Sequence, residues 1–151
     1  MSEVKGEVLN AIDKLKYTDK DILILDSETV KKIYNDCLDY FVKSGDRRWW
    51  WEDFKYDSFD FITYDKPFEQ LVDLIPDLTK NVWFMIEDNS EDYYPIYDCN
   101  PKIIGQIIGE CFGFEYYIID KDKGWLICEN HHNRLIGVGE TLKMKNIDRI
   151  K

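Results

Sequence analysis

Histidine is almost missing from this 151-residue sequence: there are two, His131 and His132, and they are neighbours. A catalytic zinc commonly takes three protein ligands, so histidines alone cannot build one here. CxxC pairs are missing too. The four cysteines stand apart at 37, 99, 111 and 128, which excludes zinc-ribbon and dithiol spacing. Their surroundings are apolar or helical, so reduced, buried thiols and a cytoplasmic setting are expected. No apolar run is long enough to cross a bilayer. Residues 1–7 lack the basic and apolar regions of a signal peptide. Positive charge is also scarce. Twenty Lys and Arg face 30 Asp and Glu, a net charge of -10. Such a charge repels nucleic-acid phosphates and anionic membranes, and it suits a basic partner or plain solubility.

What is present fits one domain over residues 1–151. The 44% hydrophobic and 15% aromatic content supplies a core. Val4, Val8, Ile12 and Leu15 recur at helical spacing. Residues 22–25 read as a short strand or a buried link. Asp26 or Ser27 caps a second helix, whose stripe is Val30, Ile33, Tyr34, Cys37, Leu38 and Phe41, with Gly45 to end it. Residues 58–64 read as a strand, and Pro67 opens a short helix carrying Phe68, Leu71, Val72 and Ile75. Residues 82–86 and 93–97 read as paired strands, the second at an edge because of Pro95. Asn100-Pro101 opens a further helix through Cys111. Strands at 114–119, 125–129 and 135–139, joined by polar turns, make an antiparallel meander. The expected class is α+β, with helices on one face of a mainly antiparallel sheet and a C-terminal three-stranded meander.

Several segments suggest chemistry. Glu129, His131 and His132 are candidates for a metal-assisted hydrolase, though adjacent histidines in extended chain point to opposite faces. Cys128 beside them suggests a thiol nucleophile, but it belongs on the core face of its strand. Gly137-Val138-Gly139-Glu140 lacks the third glycine of a dinucleotide loop. Residues 88–93 lack the glycine of a calcium loop. No cofactor is expected, and the balance leans away from an enzyme.

Two segments suggest binding instead. Arg47-Arg48-Trp49-Trp50-Trp51 cannot aim all three indoles at one core, so at least one belongs at the surface. Exposed Trp beside Arg is hot-spot composition. The alternative is a tryptophan edge over the sheet, with the arginines paired to Glu52 or Asp53, or a self-association surface. The stretch from Glu87 to Asp98 carries Glu87, Asp88, Glu91, Asp92 and Asp98 without a Lys or Arg, interleaved with Tyr93, Tyr94 and Tyr97. Carboxylates steer a basic protein and tyrosines supply contact area. A solvated loop is the alternative.

Over residues 82–140, the strand Val82–Ile86, the helix from Pro101 to Cys111, and the segments Phe114-Glu115-Tyr116-Tyr117-Ile118-Ile119, Trp125-Leu126-Ile127-Cys128-Glu129 and Leu135 to Glu140 are similar in order to small bacterial immunity-type proteins of polymorphic toxin systems. The resemblance implies a non-enzymatic antidote that binds a toxin or nuclease domain in the producer's cytosol. It assigns no functional residue.

Overall fold

The computed structural model describes residues 3–44 and 49–151. The expected Gly45 cap and the Arg47 and Arg48 contacts lie outside the described residues. Helices α1 (Glu3–Lys14), α2 (Ser27–Phe41), α3 (Leu71–Leu74), α4 (Ile104–Gly109) and α5 (Glu140–Lys145) surround strands β1 (Ile22–Ile24), β2 (Ser58–Asp60), β3 (Val82–Ile86), β4 (Ile96–Cys99), β5 (Tyr116–Ile119), β6 (Leu126–Glu129) and β7 (Leu135–Val138). The strands form one sheet in the order β1-β4-β3-β5-β6-β7-β2. Every pairing in it is antiparallel. This is the expected α+β class, and β5 to β7 are the expected meander. Among the described residues, no helix is long and apolar enough to cross a membrane.

Helix placement departs from the expectation of a single covered face. Val8 of α1, Leu71 and Leu74 of α3, Ile104 and Ile107 of α4 and Leu142 of α5 form one core with Phe84, Tyr116, Ile118 and Ile127. Tyr34, Cys37, Leu38 and Phe41 of α2 form a second core with Met85, Tyr117, Ile119, Leu126 and Cys128. Side chains alternate across a strand, so these are the two faces of one sheet. Four helices cover one face, and α2 with the tryptophan turn covers the other. Strands β5, β6 and β7 are buried at every position, as two-sided cover requires.

Helix α2 forms where its stripe and cap place it. The Asp26 side chain accepts from the Thr29 N–H at 2.8 Å, which satisfies a free donor of the first turn. The helix stops before Gly45. Val42 is already extended and bridges to Phe54, which brings the chain back along the sheet as a cover.

Two strands differ in extent from the sequence-based boundaries. β4 begins at Ile96 instead of Tyr93 and lies between β1 and β3, not at an edge. Pro95 sits just before the ladder, so its missing N–H removes no bond. Its carbonyl accepts from the Ile86 N–H at 3.1 Å. β2 ends at Asp60 and does not run on to Tyr64. Asp60 pairs with Ile136, and β7 begins one residue before that, at Leu135, so the ladder runs out of partner. Pro101 and its neighbours form a 3-10 turn that leads into α4 and do not extend the α-helix itself.

Candidate functional site

The two least ordinary sequence segments meet in space. Trp49, Trp50 and Trp51 lie on a tight 3-10 turn, Trp50–Glu52, after α2. The turn fans the indoles apart, as consecutive residues on a helical path must. Trp50 points inward and is 0% exposed. It packs on Tyr34 and Tyr117 at ring distances of 5.4 and 5.2 Å. Its N–H donates to the Tyr117 hydroxyl at 3.2 Å. Trp50 is therefore a core residue and offers nothing to a partner or to a second copy of the chain. Trp49, 38% exposed, and half-buried Trp51 face outward, with ring centroids 6.4 Å apart.

The histidine turn lies against these outer indoles. His131 is 5.7 Å from Trp49 and 5.6 Å from Trp51, and His132 is 5.9 Å from Trp51. The two imidazoles do not point to opposite faces; their centroids are 4.0 Å apart. The reason is local. Asn130 opens the turn, and its side-chain oxygen accepts from the N–H groups of His132 and Arg134 at 3.0 and 3.1 Å. Asn133 closes it at φ 59, a left-handed conformation that asparagine tolerates. Chain curled in this way does not alternate side chains. At the base of the turn, Arg134 makes a two-pronged bond to Asp60 at 2.8 and 2.9 Å, tying it to the edge strand β2.

Glu115, which precedes β5, is the joint. It is 6% exposed. One carboxylate oxygen accepts from the Trp51 indole N–H at 3.1 Å, and the other lies 3.1 Å from His131 Nδ1. A carboxylate with an indole donor on one side and an imidazole on the other fixes both rings. Sequence reasoning missed Glu115. Its signal was one carboxylate inside the apolar run from Phe112 to Ile119, since charges in such runs are rarely buried without a partner.

Glu129, a metal candidate, lies on the other face. Its carboxylate accepts from the Tyr116 hydroxyl at 2.7 Å, and Tyr116 is its cross-strand neighbour. The structure brings together His131, His132, Trp49 and Trp51, but not Glu129 and His131 as a ligand pair. Among the described residues, no three His, Cys, Asp or Glu side chains are grouped to hold a metal ion. Cys128 is 0% exposed in the α2 core, and burial pushes its thiol well up. A thiol so placed is not a nucleophile.

The acidic stretch is largely absorbed into the fold. Asp88 is buried and accepts from the Ser90 N–H and hydroxyl at 3.1 and 2.6 Å. Glu91 pairs with Lys5 of α1 at 3.2 Å. Asp98 lies 2.9 Å from both Lys121 and the Asn81 amide. Tyr94 and Tyr97 are buried, and Tyr93 stands edge-on to Tyr34 at 5.4 Å. Of the named acidic residues in this stretch, Asp92 is the one that is exposed.

A family profile matches residues 1–150. The chain belongs to DUF6756, a family of unknown function. No curated protein and no solved structure matches it.

In this DUF6756 chain, burial raises the Glu129 carboxyl above its ordinary value, and the Tyr116 hydrogen bond offsets part of the rise. A raised carboxyl holds its proton more tightly folded than unfolded. Its contribution therefore turns against the fold as pH climbs from the ordinary glutamate value through the raised one. Glu129→Gln is expected to be at least as stable as the parent at pH 7, with the difference vanishing below about pH 4. Urea midpoints across that range check this. A loss of more than about 1 kcal/mol at pH 7 would mean that the charge itself holds the fold.

Proposed function

We propose that this protein is a non-enzymatic binding module that occludes a basic protein, as a cytosolic immunity protein occludes a toxin or nuclease domain. The observation that carries this reading is the outward aromatic platform of Trp49 and Trp51, flanked by His131 and His132 and held from beneath by Glu115. Rings fixed before binding lose little freedom on contact, and tryptophan is prominent among binding hot spots. The net charge of -10 accelerates encounter with a basic partner. The resemblance over residues 82–140 supports the same class. The weight of the contact falls on the platform, with exposed carboxylates such as Asp92 acting at longer range.

The test is co-expression with the product of the neighbouring reading frame. Restored growth and co-elution of the pair are expected. Trp49→Ala is expected to weaken the complex by about tenfold or more without moving the melting temperature, because its ring is partly exposed. A neighbour that is neither toxic nor retained sinks the reading. So does undiminished affinity in Trp49→Ala combined with His132→Ala.

A further inference from the structure

Beside the platform, where β5 begins and β6 ends, a groove of about 380 Å³ opens between the histidine turn and the loop after α4. That is the small end of the range for ligand pockets, enough for one amino-acid side chain. Its apolar wall is aromatic: Phe68, Phe112 and Phe114. Phe112 is 97% exposed, and its backbone is anchored at the mouth of the groove, where its N–H donates to the Glu7 carboxylate at 2.6 Å. A phenyl ring held out in water at the mouth of a groove is a stacking surface without a stack.

The polar wall is acidic. Asp65, Glu115 and Glu129 all line the groove, and no lysine or arginine does so among its described lining residues. Glu115 is already engaged with Trp51 and His131. Among the described residues Glu129 bonds the Tyr116 hydroxyl and no cation, so a largely buried carboxylate lines the groove without a counter-charge. Asn130 adds an independent sign. It is 3% exposed and lines the same groove. The bonds from His132 and Arg134 fix its oxygen, which settles the amide orientation. That leaves Nδ2 as a buried donor without an acceptor among the described residues, a rare and unfavourable condition.

These three needs define one occupant. The carboxylate asks for a cation, the phenyl faces ask for a flat group or an apolar stem, and the amide asks for an acceptor. A lysine supplies a charge and a stem, but its ammonium is strongly hydrated and offers no flat face to the rings. A guanidinium is flat, weakly hydrated and stacks on aromatic rings. We propose that the groove receives one arginine residue of the basic partner, with its guanidinium on Glu129, its stem along Phe112 and Phe114, and its carbonyl on Asn130 Nδ2. This rests on the binding-module reading and gives that partner a chemical key residue.

The test needs no partner. N-acetyl-L-arginine amide is titrated into the full-length protein and followed by amide chemical shifts. Shifts should centre on Phe112, Glu129 and Asn130. The uncharged N-acetyl-L-citrulline amide should bind about tenfold more weakly, and Glu129→Gln should weaken the arginine probe by a similar factor. Phe112→Ala, at a solvent-exposed site, should weaken it without altering the fold. Equal binding of the citrulline probe, equal binding of N-acetyl-L-lysine amide, or full affinity in Glu129→Gln each overturns the proposal. If the partner complex forms while the probe fails, the groove assignment falls and the binding function stands. If the probe binds while no partner is found, the binding function falls and the groove site stands.

Discussion

Trp50→Ala is expected to destabilise the protein by about 3–5 kcal/mol, the range for deleting a large aromatic side chain from a packed core. Trp50 is 0% exposed and sits between Tyr34 of α2 and Tyr117 of β5. Its removal would open the joint between the cover and the sheet, and neither neighbour can follow it inward. Tyr34 is held in α2, and the Tyr117 hydroxyl bonds the Trp50 backbone N–H. The indole N–H has no acceptor among the described residues, so the effect is one of packing. Since domain stabilities are about 5–15 kcal/mol, the variant should lose about a fifth or more of the total. Urea unfolding with Trp49→Ala as the control reads this directly. The control should stay within about 1 kcal/mol of the parent. Equal losses in both variants would mean that the turn does not sort the indoles into an inner and an outer set.

Gly139→Ala should be comparably severe for a backbone reason. Gly139 joins β7 to α5 at φ +116, where side chains rarely fit. A methyl group there would lie 2.3 Å from the Gly124 carbonyl oxygen and 2.8 Å from the Trp125 Cα, both backbone atoms with nowhere to go. A loss of about 3 kcal/mol or more, or failure to fold, is expected. Gly113→Ala is the control. It has φ +110 but nothing within 4 Å of the added methyl, so only the torsional cost remains, about 1–3 kcal/mol. Melting temperatures of the two variants separate contact from conformation. If they fall equally, the close approach at Gly124 is not rigid.

Much of this frame was legible in the sequence. The α2 stripe and its Asp26 cap, the meander and the turns between its strands follow from local chemistry. Helices on both faces were encoded as well, in the unbroken apolar runs of β5 and β6, because an alternating pattern would mark one wet face. The bounds of β4 and the end of β2 were not legible, because partner strands distant in sequence set them. The platform was half legible. Both the tryptophan and the histidine segments stand out, but their meeting depends on a chain reversal after α2 that no local pattern specifies. Glu115 was hidden because one carboxylate beside a strand carries no motif. The acidity of residues 87–98 misled in a physical way: a stretch without its own cations borrowed Lys5 and Lys121 from elsewhere.

The order of strands also bears on how the chain is made. Both edge strands, β1 and β2, come from the first half of the sequence, while their partners β4 and β7 arrive later. During synthesis Ile22 waits for Cys99, and Ser58 waits for Val138. The N-terminal half therefore leaves the ribosome with its strands unpaired and its aromatic turn uncovered. The β1 contacts can close only after Cys99 has emerged, and the β2 contacts only after Val138.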